Sequence, residues 1–357
     1  MKLWSCRLVF LVLSAARLSS SQQVGEACIR RDRTQGTCRD IGDCVGDNGQ
    51  IENAGKLELC KGSTLAKVIA CCRKTPESIA SEKCEKWKRQ ANEDGSQCRV
   101  NIPLARGGTE ADVGEFPHMV SILTFRDGDI PVHVCGGVLI SDRYVLSAAH
   151  CKQGDQDTYY VRVGGHRLNQ RRSGIDIDSK VIDFIQHPEY KPPRRYNDIA
   201  LLKLAITVEF SRYIRAACLP HRDVRIRSGT KMIIAGWGLY DRSGQTSDVL
   251  RKAEVTVIDR IECDKNPQIS DVRNSLEYPV GITDSIICAN ETKSGACTGD
   301  SGGPLMVATR TTCDVKEVVG LVSRGLPDCQ QSDVPGTCTR VEYYVDWIVR
   351  LVWPDEL

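Results

Sequence analysis

Charge of one sign is what this 357-residue sequence most plainly lacks. Its 48 Lys and Arg nearly balance 46 Asp and Glu, leaving a formal net charge of +2. No sign-biased surface therefore points to a nucleic-acid or membrane partner. Long hydrophobic runs are missing too. The apolar stretch in "MKLWSCRLVFLVLSAARLSSS" is too short to span a bilayer. With a basic residue before it and small residues after it, it reads as a secretory signal over residues 1–21. The closing "PDEL" has neither the Lys nor the His of an endoplasmic-reticulum retention signal. The six cysteines from Cys28 to Cys72 come with no His and no repeated paired spacing, which argues against zinc. The loop "GGHRLNQRRSG" (164–174) has no carboxylate for calcium. No metal and no cofactor is expected.

Cysteine is what the chain has in quantity. There are 18, a usage that fits an oxidising compartment. Cys6 lies in the leader, so an odd number remains and at least one thiol is free or pairs with another chain. Residues 28–72 are too few to bury much core, so three internal disulfides are expected to stabilise them, with spacing alone leaving their pairing open. From 73 to 104 the chain is polar and charged and reads as an exposed linker, with Cys84 and Cys98 as candidate tethers. Beyond residue 104, short β-rich runs such as "DIALLKLAITVEF" alternate with Gly, Pro and Asp turns, which predicts an all-β domain of barrel or sandwich type. The last run places Val341, Tyr344, Val345, Ile348 and Val352 on one face of a C-terminal helix.

Three segments carry chemistry: His150 in "VLSAAHC", Asp198 in "YNDIALLKL" and Ser301 in "CTGDSGGP". A serine hydroxyl becomes a good nucleophile when an imidazole takes its proton. The imidazole in turn needs a carboxylate to fix its tautomer and stabilise its charged form. Small residues around Ser301 allow a tight turn, so that the N–H groups of Gly299 and Ser301 can address one oxyanion.

On these motifs residues 105–357 resemble the chymotrypsin-like (S1) serine proteases. The six-cysteine segment 28–72 resembles the clip domain of arthropod serine proteases, with 73–104 as linker and activation segment. The resemblance implies a double six-stranded β-barrel with a C-terminal helix. It implies the disulfides Cys28–Cys71, Cys38–Cys60, Cys44–Cys72, Cys135–Cys151, Cys263–Cys288 and Cys297–Cys329. Cys218 would hold Cys84 or Cys98, with Cys313 and Cys338 unassigned. The family is made as zymogens, whose new terminus after cleavage pairs with the carboxylate before the nucleophile, here Asp300. Aligning on Gly107-Gly108 puts that terminus at Ala105 and the cut at Leu104–Ala105, as in the group of clip proteases cleaved after Leu. A cut after Arg106 would leave the terminus two residues short.

The specificity pocket would have Gly295 at its floor, Gly325 and Gly336 as walls and Ser323 beside them. An uncharged, open slot favours an apolar or aromatic side chain over Lys or Arg. Arg324 stands where an aromatic is usual and Cys338 where a Tyr is usual, and Arg324 together with the basic loop "KPPRR" (191–195) suits a substrate with acidic residues beside the cut. Asn290 in "NET" is a glycosylation acceptor. The resemblance implies a secreted haemolymph endopeptidase that cuts another protease zymogen, is itself activated by an upstream protease and is inhibited by serpins. A catalytically weak regulatory cofactor of the same kind of cascade is the alternative.

Overall fold

The computed structural model describes residues 26–30, 33–41, 44, 57–60, 63, 68–93, 108–125, 131–154, 157–220, 226–239, 245–266, 276–290, 297–308, 315–325 and 335–357. The signal segment 1–21 and the cut at Leu104–Ala105 lie outside these residues. The chain divides into two compact units, Met1–Ile79 with Val349–Leu357, and Ala80–Ile348.

In the first unit, β1 (Ala27–Ile29), β2 (Gln35–Asp40), β3 (Glu58–Leu59) and β4 (Ile69–Arg73) form an antiparallel sheet in the order β1-β2-β4-β3. Cystine replaces an aliphatic core. One buried cluster is Cys28, Cys38, Cys60, Ile69 and Cys71, and its neighbour contains Cys44 and Cys72. The disulfides are Cys28–Cys71, Cys38–Cys60 and Cys44–Cys72. A unit this small gains more from closing loops covalently than from the apolar area it can bury.

The expected exposed linker is corrected in its first half. An 18-residue helix, α1, runs over Pro76–Glu93. Pro76 takes the first helical position, where a missing N–H costs nothing, and Thr75 and Ser78 exchange backbone-to-hydroxyl bonds in the manner of a capping box. Ala80, Cys84, Trp87 and Ala91 recur at three- and four-residue spacing, a stripe hidden within a polar composition. Trp87 packs edge-on against Phe210 at 5.1 Å, and Cys84 is bonded to Cys218. Of the two tethers the sequence leaves open, the folded chain uses Cys84.

The second unit is built of two barrels. In the first, β6 (Met119–Phe125), β7 (Pro131–Leu139), β8 (Tyr144–Ser147), β9 (Tyr159–Val163), β10 (Ile177–Gln186) and β11 (Ala200–Leu204) close in the order β10-β11-β8-β7-β6-β9. In the second, β12 (Lys231–Gly236), β15 (Pro304–Val307), β16 (Val318–Arg324), β17 (Gly336–Arg340), β14 (Ile286–Asn290) and β13 (Arg251–Ile258) close through a β12–β13 pairing, with β5 (Thr109–Glu110) added outside β13. Strand β13 shows why the sequence makes strands here. Ala253, Val255 and Val257 alternate into the core while the residues between them are only half-buried. A short helix, α2 (Arg260–Lys265), is capped by Asp259, and Cys263 within it bonds Cys288. The C-terminal run makes a 3₁₀ turn over Val341–Tyr344 and then α3 (Val345–Val352); Val341, Tyr344, Val345, Ile348 and Val352 are all buried.

A nonreducing proteolytic digest of the oxidised full chain is expected to yield a peptide joining Cys84 to Cys218. A peptide joining Cys98 to Cys218 would overturn this connectivity.

Candidate active site

The site lies between the barrels. His150 sits in the 3₁₀ turn Ala149–Cys151 that follows β8, and the Cys135–Cys151 disulfide ties this turn to β7. Asp198 precedes β11 and is fully buried. Its Oδ1 accepts the backbone N–H of His150 at 2.9 Å and its Oδ2 accepts Nδ1 of the same residue at 2.7 Å. A neutral imidazole whose Nδ1 carries the proton leaves Nε2 as the proton acceptor.

The second barrel completes the carboxylate's surroundings. The Ser323 hydroxyl donates to Asp198 Oδ2, and Thr339 Oγ1 donates to the Asp198 carbonyl at 2.9 Å. Burial pushes the Asp198 carboxyl up, but the His150 charge and the hydrogen bonds from His150 and Ser323 outweigh it and hold the group below its ordinary value. Asn197 meets this geometry with a positive φ of 56° and is held by a hydrogen bond from the Tyr344 hydroxyl at 2.9 Å.

Ser301 is half-buried in the turn before β15. Its carbonyl accepts the Gly136 N–H at 2.8 Å and lies 3.8 Å from Cys151 Sγ, which places the serine beside the His150 turn. Within the same turn the amides of Asp300, Gly302 and Gly303 are committed to carbonyls of Cys297, Val322 and Asp300. Among the described residues the amides of Gly299 and Ser301 donate to none. Two neighbouring N–H groups left open beside a hydroxyl form an anion-binding concavity. Gly299 is required there: its φ is +99°, and a Cβ would approach the Gly238 Cα to 3.0 Å.

Two residues that sequence reasoning missed support this turn. His133 Nε2 donates to the Gly299 carbonyl at 2.9 Å, and the Ser121 hydroxyl donates to His133 Nδ1 at 2.8 Å. Burial lowers the His133 pKa to about 4, against a smaller rise from the Gly299 bond, so this imidazole is neutral at pH 7 and holds the carbonyl as a fixed donor. Only the position of His133 two residues before Cys135 could have flagged it, and that spacing carries no chemistry of its own.

Asp300 lies on the far side of the turn. Its carboxylate accepts the Gly238 N–H at 2.8 Å and the Cys297 N–H at 2.9 Å. It presses so closely on Gly236 and Gly238 that a Cβ on either would collide with it. Among the described residues no cation pairs with it. Burial raises its pKa to about 6, with the Cys297 and Gly238 bonds opposing.

Of the remaining expected site residues, Ser323 and Gly336 are buried, Gly325 is half-buried, and Asn290 is exposed at the end of β14. Cys338 is a buried thiol in the core of the second barrel. Cys297 is disulfide-bonded, while Cys329, Gly295, Leu104 and Ala105 lie outside the described residues.

The Asp300 environment has a pH signature. A carboxyl raised from 3.8 to about 6 favours the folded state fully below the lower value, and that contribution is lost as pH rises through about 6. Asp300→Asn in the uncleaved chain is therefore expected to raise Tm relative to wild type at pH 7.5, with the difference shrinking as the pH falls through about 6. A Tm difference independent of pH would show that this carboxylate is not desolvated.

A family model described as Trypsin matches residues 105–348. The chain is 32% identical over 323 residues to the serine protease snk of Drosophila melanogaster, covering 84% of this chain and 71% of that one. It is 31% identical over 353 residues to the proclotting enzyme of Tachypleus tridentatus, covering 91% and 89%. It is 29% identical over 370 residues to phenoloxidase-activating factor 3 of Holotrichia diomphalia, covering 97% and 98%. With both barrels, this match and these relatives in hand, the chain belongs to the trypsin family and is a chymotrypsin-like serine endopeptidase.

Proposed function

We propose that the chain is a secreted zymogen, activated by cleavage at Leu104–Ala105, that cuts a downstream protein or protease zymogen in an extracellular proteolytic cascade of immune, melanisation or Toll type. In this reading Ser301 is the nucleophile, His150 its base and Asp198 the group that orients and stabilises the imidazolium. The amides of Gly299 and Ser301 hold the oxyanion. The observation that carries it is that the amides of Gly299 and Ser301 have no acceptor among the described residues, set against a histidine whose Nδ1 is already bound to a buried carboxylate. The first barrel and the His150 turn supply base and orienter, and the second barrel supplies nucleophile and oxyanion donors, so the reaction needs both held in register.

The register of β5 supports the cleavage position. Thr109 and Glu110 pair with Lys252 and Arg251, whose other neighbours are Ala235 and Gly236, and Gly236 abuts Asp300. Gly108 is thus about two strand spacings, ~10 Å, from the Asp300 site. Residues 105–107, extended, span roughly 10 Å, whereas a cut after Arg106 leaves one residue reaching about 3.5 Å. The Lys252–Glu115 ion pair at 2.6 Å, with Glu115 almost fully buried, clamps the segment that follows onto β13. The new amine would supply the cation that Asp300 lacks among the described residues. The family match also begins at residue 105. Ala105 offers less apolar surface than a larger residue to anchor the inserted terminus.

Secretion is supported by the signal-like leader and the disulfides, and no helix among the described residues is long and apolar enough to cross a membrane. A proclotting enzyme and a phenoloxidase-activating factor among the relatives favour a zymogen-activating cascade, with an upstream protease as activator and serpins as inhibitors. An open Gly295 slot favours an apolar or aromatic side chain before the cut.

A serine-reactive fluorophosphonate, applied before and after controlled cleavage, tests this reading. Label on Ser301 is expected only in a chain whose terminus is Ala105, and Ser301→Ala is expected to lower peptide hydrolysis by at least about 10³-fold. No label after clean cleavage at Leu104–Ala105 would overturn the catalytic reading in favour of a regulatory cofactor. Asn290→Gln is expected to remove the mass that peptide N-glycosidase releases from the secreted protein; an unchanged glycan mass would exclude this acceptor.

A further inference from the structure

Beside Asp198 the chain assembles a charge cluster from three separate segments. Glu277 Oε2 lies 3.3 Å from Arg324 Nε, and Glu277 Oε1 lies 3.7 Å from Arg195 Nε. Arg195 Nη1 donates to the Ser323 carbonyl at 3.2 Å and lies 3.8 Å from Asp198 Oδ2. All three side chains are about a quarter exposed, between 22% and 24%. Two guanidiniums thus share one outer carboxylate. Asp198 itself is buried and already engaged by His150 and Ser323, so the open edge of the cluster keeps an excess of positive charge.

The two arginines differ in what they have left to offer. Arg195 is committed on Nε and Nη1 to Glu277, Ser323 and Asp198. Arg324 approaches Glu277 most closely through Nε, and its two terminal nitrogens make no hydrogen bond among the described residues. A guanidinium fixed at one end and open at its fork is preorganised for a second carboxylate, which it can take in bidentate geometry. Partial burial makes that interaction stronger than at an open surface. The position of Arg324 says whose carboxylate this is. It lies between Ser323, which touches Asp198, and Gly325, which the family resemblance makes a wall of the pocket for the residue before the cut. A substrate chain that fills that pocket passes Arg324 with the residues preceding the cut.

We infer that Arg324, held by Glu277 and backed by Arg195, is a specificity-determining residue that selects an Asp or Glu in the substrate stretch immediately before the cleaved bond. This rests on the protease reading above and deepens it: the target carries an acidic segment upstream of the apolar residue at which it is cut.

The test uses the full chain, cleaved at Leu104–Ala105 and active-site-titrated with fluorophosphonate. Peptide pairs that differ only as Asp against Asn, or Glu against Gln, at successive positions before the cut are compared by kcat/KM. At one position the acidic peptide is expected to be favoured about tenfold, as one charge-assisted pair predicts, with the preference falling as salt is raised. Arg324→Gln is expected to bring the ratio close to one, and Arg324→Lys to keep only part of it. A wild-type ratio of one at every position, or a ratio unchanged in Arg324→Gln, overturns the inference while labelled Ser301 leaves the protease reading intact. Absence of label would remove the protease reading instead. The acid preference is then read from fluorescence-polarisation binding of the same peptides to Ser301→Ala, where equal affinities overturn the inference.

Discussion

The fold turns on one buried carboxylate. Moving Asp198 out of water costs several kcal/mol unless the charge is compensated, and this chain compensates it from both barrels at once. The first barrel gives the N–H and Nδ1–H of His150; the second gives the hydroxyl of Ser323 to the carboxylate and that of Thr339 to the Asp198 carbonyl. The bonds that make the charge tolerable therefore also register one barrel against the other. Oδ2 is shared by His150 and Ser323, but Oδ1 accepts from the His150 N–H, and losing that bond would leave a buried acceptor unpaired, which costs more than the net worth of the bond. The positive φ of Asn197, held by Tyr344, belongs to the same constraint: backbone strain one residue before Asp198 is accepted so that its carboxylate points into the joint.

Asp300 shows the opposite use of the same functional group. Asp198 is fully buried and Asp300 half-buried, yet among the described residues two backbone N–H groups answer Asp300, and desolvation carries its pKa up to about 6 where Asp198 is driven down. A carboxylate in that condition is unsatisfied, and its attachment to the Ser301 turn makes the condition consequential. The turn carries Asp300 on one side and the open amides of Gly299 and Ser301 on the other, with His133 and Ser121 anchoring the Gly299 carbonyl. A change in how Asp300 is compensated bears directly on the groups proposed to hold the oxyanion. In the proposed reading the two carboxylates divide the work between them, Asp198 keeping a geometry constant and Asp300 leaving it responsive to cleavage.

How much of this the sequence disclosed depends on the range over which each feature is encoded. The turn around Ser301 is legible because its backbone demands particular residues in a row, with Gly299 and Gly302 both at positive φ on either side of Asp300 and Ser301. The barrels are legible because a strand with one buried face must alternate, as β13 does. Helix α1 escaped because its apolar stripe rests on two alanines, a cystine and one tryptophan, too little to stand out from a charged composition. Cys84 and Cys98 are chemically equivalent in one dimension, and folding alone distinguishes them. The cluster of Arg195, Glu277 and Arg324 is the extreme case. Any of 48 cations can face any of 46 carboxylates, and no local rule says which will meet. Catalytic chemistry is written in short motifs because it needs fixed backbone geometry. Pairings among long charged side chains are settled only when distant strand ends are brought together: a preference for acidic residues beside the cut could be read from Arg324 and the 191–195 loop, but Glu277 as the partner that holds Arg324 had to be read from the folded chain.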